Sequence, residues 1–245
     1  MSSSSRQVTV SAKPQAISFD PSHSAIVVVD MQNDFGSTGG FFALGGVDIS
    51  GIQAVVPRIA EVLAASRQAD IPIIYLKMGF RPDLSDTGGP VSPNWIKHAQ
   101  LRPIGDAITA PDGRQGRILI RDTWNTDIVS DLAPEAGDTV FYKNRFSGFY
   151  ETDLDQVLKA RSIKTLVFTG CTTSICVEST IRDATFRDYT CLLLADCAAE
   201  PIGHDLPRSN YEASLLVIQA LLGWVSESEE FLKVLAPMLP ARRLA

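Results

Sequence analysis

Histidine and cysteine are scarce in this chain: three and four residues among 245. His23, His98 and His204 lie far apart, and none neighbours a cysteine. The cysteines form no C-x-x-C pair; Cys171 and Cys176 stand five positions apart, and Cys191 and Cys197 bracket an apolar run that makes them core filler. That pattern argues against a structural zinc site, a thioredoxin-like redox pair and a disulfide scaffold. No metal or other cofactor is expected, and the reducing cytoplasm is the expected compartment. Basic residues are outnumbered, 22 against 28 acidic, giving a net charge of −6 that makes nucleic acid and anionic membranes poor partners. No apolar run approaches a membrane span. There is no Pro/Gly/Ser-rich linker and no internal repeat, so one domain over residues 18–240 is expected. The opening "MSSSSRQ" lacks an apolar signal core and reads as the start of a loose tail over residues 1–17.

Five short apolar runs read as buried parallel strands: "AIVVVD" (25–30), "IPIIYL" (71–76), "DTVFY" (138–142), "KTLVFT" (164–169) and "TCLLLAD" (190–196). Helical spacing marks 52–69, 153–161 with Thr152 as N-cap, 174–188, 209–222 and 228–235. The alternation predicts an α/β fold, a three-layer open parallel β-sheet with helices on both faces. The stretch 77–125, rich in Pro, Gly and Asp, is too long for an ordinary connection and reads as a lid or binding loop.

In such sheets ligands bind beyond the C-terminal strand ends. Asp30 ends the first strand, Lys143 follows the third and Cys176 lies just past the fourth. Each has an ordinary reading too: a turn residue, a solvated cation, a small buried hydrophobe. For Cys176, a place in the first turn of a helix would favour the thiolate and raise the odds of a nucleophile.

The segments "VVVDMQNDF", "KNRFSGFYETDLDQVL" and "VFTGCTTSICVESTIRDATFRDY", in this order within residues 18–235, resemble the isochorismatase-like cysteine hydrolases. That family includes nicotinamidases and the amidohydrolases of carbamoylsarcosine, ureidoacrylate and biuret. The resemblance implies a catalytic triad of Asp30, Lys143 and Cys176 and a cis peptide between Cys171 and Thr172. It also implies an oxyanion hole from the backbone N–H groups of Thr172 and Cys176, and a homo-oligomer, often a tetramer. The apolar "LLGWV" (221–225) is a candidate interface segment.

Departures from the family narrow the substrate. Cys176 argues for amide cleavage over the vinyl-ether cleavage of isochorismatases proper. The loops "MQNDFGSTGG" and "KMGFRPDLSD" lack the histidines of a nicotinamidase metal cluster. "AISFDPSHSAIVVVDMQ", "GGPVSPNW" and "LLGWVSESEEF" resemble ureidoacrylate amidohydrolases, whereas "GFRPDLSD" and "CLLLADC" resemble the biuret-type branch. The reading preferred from sequence is a cysteine amidohydrolase of a small ureide, biuret or triuret, working through a thioacyl intermediate and releasing ammonia. The alternatives are a ureidoacrylate amidohydrolase and a catalytically silent scaffold. Phe35, Arg81, Asn94, Tyr150 and Gln219 are the candidate substrate contacts, with Gln32, Asn33, Phe80, Trp95 and Lys97 behind them. Arg81 stands first, because a guanidinium fork matches the in-plane carbonyl oxygens of a flat ureide.

Overall fold

The computed structural model describes residues 7–203 and 207–239. Ten strands and eight α-helices follow one another along them. The strands are β1 (Val8–Val10), β2 (Ile17–Phe19), β3 (Ser24–Val29), β4 (Ile73–Met78), β5 (Ala107–Thr109), β6 (Gln115–Arg117), β7 (Thr139–Lys143), β8 (Thr165–Cys171), β9 (Thr190–Ala199) and β10 (Trp224–Ser226). The helices are α1 (Asn33–Gly36), α2 (Phe41–Leu44), α3 (Ser50–Gln68), α4 (Pro93–Ala99), α5 (Leu154–Ala160), α6 (Glu178–Thr185), α7 (Asn210–Val217) and α8 (Ser228–Leu235).

Six strands make one parallel sheet in the order β10-β9-β8-β3-β4-β7. Strand β3 lies inside it, and all six of its residues are buried. Its alternate side chains feed two apolar layers. Ile26 and Val28 pack with Ile52, Ile59 and Leu63 of α3 and Phe231 of α8. Ala25, Val27 and Val29 pack with Leu154 and Leu158 of α5 and Ile181 of α6. A strand apolar on both faces has to be covered on both, so the three-layer α/β architecture predicted from sequence is the one observed.

Some expectations change. The sheet has a sixth strand, β10, too short at three residues to show a period; it takes up part of the "LLGWV" segment, although Leu221 stands 89% exposed. The expected tail is part of the fold from Val8: β1 pairs antiparallel with β2, Val10 is buried, and Lys13 exchanges two backbone hydrogen bonds with Val225. Residues 1–6 and 240–245 lie outside the described residues. The long stretch 77–125 is structured, holding α4 and the β5–β6 ladder. Thr152 is not the N-cap of α5, which is Asp153, but its hydroxyl still accepts from Leu154 N (3.3 Å).

Candidate active site

Four adjacent strands end on one side of the sheet: β8 at Cys171, β3 just before Asp30, β4 at Met78 and β7 at Lys143. Lys143 is therefore the last residue of a strand rather than the first after it. Asp30 turns with φ of 53°, a left-handed conformation that Asp tolerates, and its N–H donates to Leu76 O (2.8 Å). The chain beyond it is clamped to β4 by Gln32, whose amide donates to Met78 O (2.9 Å) and accepts from Met78 N (2.8 Å). Lys143 pairs in register with Met78 and reaches over it, placing Nζ 2.8 Å from Asp30 Oδ2. Both side chains are shut from solvent, yet Asp30 Oδ1 has no hydrogen-bond partner among the described residues.

Cys176 arrives from the other side. Beyond β8 the Cys171–Thr172 peptide is cis, and Thr173–Val177 form a π-helical turn before α6. Gly170 makes the strand end possible: it has φ of 110°, and a Cβ there would sit 2.1 Å from Val29 O. The turn is tied down twice. Thr180 Oγ1 donates to Cys176 O (2.7 Å) and accepts from Gly148 N (3.0 Å), joining it to the loop after Lys143. One Glu200 carboxylate accepts from Ser174 N (2.6 Å) and from Ile202 N (3.0 Å).

Charge and burial set the resting protonation. The Cys176 thiol faces both members of the ion pair. Burial pushes its pKa well up, Asp30 adds to the rise, and Lys143 opposes it. The Lys143 ammonium loses hydration on burial, but Asp30 and Cys176 outweigh that and hold its pKa above the ordinary lysine value. The resting group is thus a neutral thiol beside an ammonium. This corrects the expectation that a helix start would favour the thiolate, since Cys176 sits in a π-turn and desolvation dominates. Cys171, Cys191 and Cys197 are buried free thiols raised chiefly by burial.

A cavity of about 150 Å³ opens over this cluster, with Asp30, Thr172 and Cys176 lining it. Its walls are apolar: Phe35, Phe41, Phe42, Met78, Phe146 and Ile175, with Leu101 and Ile202 completing them. The Phe41 wall is held by Asp34, which is fully buried and accepts from Phe41 N (3.0 Å), Asn125 Nδ2 (2.7 Å) and Leu119 N (2.7 Å). Two residues of α4, Lys97 and His98, add the remaining polar groups. His98 Nδ1 donates to Asn94 O (2.7 Å), the only role open to a nitrogen facing a carbonyl. Burial lowers the His98 pKa, and the charges of Lys143 and Arg145 lower it further, so the ring is neutral.

Of the residues read from sequence, Asp30, Lys143, Cys176, Thr172 and Phe35 meet at this site. The others do not. Arg81 is exposed, with its backbone N–H held by Asp86 Oδ1 (2.9 Å). Gln219 lines a separate cleft beside Lys13 and Val225. Tyr150 is 44% exposed under the Arg145 guanidinium. Asn94 is buried behind the wall, donating to Thr87 O (3.0 Å). Asn33 and Phe80 are structural as well: Asn33 donates to Trp124 O, and Phe80 packs edge-on to His98. Among the described residues no three His, Cys, Asp or Glu side chains converge as metal ligands; His204 lies outside them.

Residues 24–230 match the model of the isochorismatase domain. The ureidoacrylate amidohydrolase RutB of Methylorubrum extorquens is 43% identical over 224 residues, covering 91% of this chain and 87% of that protein. The enzyme of the same name from Klebsiella pneumoniae is 40% identical over 233 residues, covering 95% of each. Among solved structures, a cysteine hydrolase from Pseudomonas syringae pv. phaseolicola superimposes with a TM-score of 0.74 at 29% identity, covering 90% of this chain and 95% of that one.

Proposed function

Because this chain belongs to the isochorismatase-domain family and is a hydrolase of C–N amide bonds, we propose that Asp30, Lys143 and Cys176 cleave a carbamoyl C–N bond through a thioacyl intermediate. The observation that supports it is the buried Lys143–Asp30 pair, 2.8 Å apart, with a carboxylate oxygen unpartnered beside the thiol at the floor of the cavity.

The resting protonation assigns the steps. As Cys176 Sγ attacks the carbamoyl carbon, its proton passes to Asp30, the only carboxylate lining the cavity among the described residues. Lys143 keeps its charge throughout and stabilises the thiolate as it forms. The carbonyl oxygen becomes an oxyanion held by the backbone N–H groups of Thr172 and Cys176. Collapse breaks the C–N bond, and Asp30 returns the proton to the leaving nitrogen. Water deprotonated by Asp30 then attacks the thioester and frees the thiol. The carbamic acid formed breaks down to carbon dioxide and ammonia. The intact cluster speaks against a silent scaffold. The expected homo-oligomer has the exposed Leu221 as a contact candidate.

Of the two ureide readings, the ureidoacrylate type has more behind it. Arg81, the ground for biuret or triuret, stands outside the cavity. A polyureide presents N–H and C=O groups along its whole length, and the apolar walls would leave most of them unpaired. A carbamoyl group at the floor with a carbon chain along the walls suits this lining. Ammonia release from ureidoacrylate, biuret, triuret and carbamoylsarcosine at matched concentration tests the ranking. Ureidoacrylate is expected to be turned over fastest, and faster turnover of biuret or triuret reverses it.

A further inference from the structure

Helical cations in this protein are paired. Lys159 meets Asp155 at 2.7 Å, Arg182 meets Glu178 at 2.6 Å and Lys233 meets Glu229 at 3.0 Å, all one turn apart. Lys97 breaks the pattern. Its neighbours at three and four positions on either side are Asn94, Pro93, Gln100 and Leu101, and no ion pair involves it among the described residues. It is exposed, yet it lines the cavity over Cys176. Asp30, the lining's only carboxylate among the described residues, is already matched by Lys143. In a protein of net charge −6 this leaves an ammonium with no counter-charge among the described residues, at the exposed edge of a cavity with apolar walls.

We propose that Lys97 is the specificity-determining residue of the site, pairing with a carboxylate at the end of the substrate remote from the scissile bond. The substrate class is then a carbamoyl amine carrying an acidic group beyond a short carbon chain. Ureidoacrylate is of this class, so the inference rests on the reading above and deepens it by naming the residue that takes the carboxylate. His98 suits the same arrangement. Its ring is stacked on Phe146 at 5.8 Å and its Nδ1 is spent on Asn94 O, so it walls the cavity beside Lys97 without contributing a second charge. The competing role for Lys97 is to complement the dipole at the C-terminal end of α4, where it sits in the last turn. That role would be blind to the charge of the ligand.

The test uses alkylation of Cys176 in the full-length protein, which reads cavity occupancy without requiring turnover. The probes are 4-bromocrotonate and its neutral amide, equal in length and differing in the remote charge. With the parent, bromocrotonate is expected to react faster than the amide. Lys97→Met is expected to slow bromocrotonate about tenfold, in line with the loss of one charge-assisted contact at a partly exposed site, and to leave the amide rate unchanged. Lys97→Arg, which keeps the charge, is expected to restore most of the difference. Equal slowing of both reagents, or of neither, overturns the proposal. Kinetics on a carboxylate substrate and its carboxamide should show the same split in KM, with kcat little changed. Failure to hydrolyse any carbamoyl compound would sink the parent reading alone, because the alkylation ratio still decides the role of Lys97.

Discussion

Asp30 and Asp34 stand four residues apart, both fully buried, and the fold treats them in opposite ways. Asp34 is saturated, with two backbone N–H groups and the Asn125 amide converging on its two oxygens. Asp30 receives one ammonium and no hydrogen-bonded amide, leaving Oδ1 without a partner among the described residues. A buried carboxylate given every donor it can use is a structural tie. One left short of donors has capacity for a proton that arrives during the reaction. The same contrast separates the cysteines: Cys171 contacts the backbone at Asp30 O, whereas Cys176 lines the cavity.

The sharpest separation should come from the sulfurs. Cys176→Ser is expected to cut kcat by about 10³–10⁵-fold with an unchanged circular dichroism spectrum, while Cys171→Ser keeps most activity. The opposite ranking would undo the assignment. Next comes the carboxylate pair. Asp30→Asn should lower kcat by ~10²–10⁴-fold because the proton acceptor is lost, and should also cost stability because the buried Lys143 ammonium loses its counter-charge. Asp34→Asn should leave kcat near the parent's and cost ~1–3 kcal/mol in urea unfolding, since an amide cannot satisfy three donors. Two variants that lost activity alike would erase the distinction between tie and acceptor.

A further effect, on stability alone, concerns pH. Burial pushes the Asp34 pKa up to about 7 from an ordinary 3.8, with the Asn125, Leu119 and Phe41 donors opposing the rise. The folded state therefore binds this proton more tightly than the unfolded chain. The carboxyl's contribution to stability is complete below the unfolded value and is lost as pH rises through the folded one, by up to ~4 kcal/mol in total. Urea midpoints measured between pH 4 and 8 should decline more steeply for the parent than for Asp34→Asn, and parallel curves would count against it. The smallest expected effect is none at all: Arg81→Lys should match the parent's kcat/KM on every ureide. A tenfold loss would bring the long loop back into the site.

The sequence made the floor of the site readable and left the walls hidden, for a physical reason. Asp30, Lys143 and Cys176 are located by strand ends, and buried parallel strands announce themselves as apolar runs. The motif resemblance then gave the three residues their roles. The walls come from Phe41, Phe42, Leu101, Phe146 and Ile202, on short helices and connections whose packing leaves no period in the sequence. Arg81 shows the same limit from the other side, because a place in the right loop says nothing about where a side chain points. Lys97 is among the secondary candidates read from sequence, but its helix is not, because the Pro- and Gly-rich stretch around it reads as a loop.

The two hydrogen bonds of Glu200 have a mechanical consequence. The same carboxylate holds Ser174, at the base of the nucleophile's turn, and Ile202, in the cavity wall. The two cannot drift apart independently. One side chain thus fixes the spacing between the turn that carries Cys176 and the wall beside it, and its removal would release both at once.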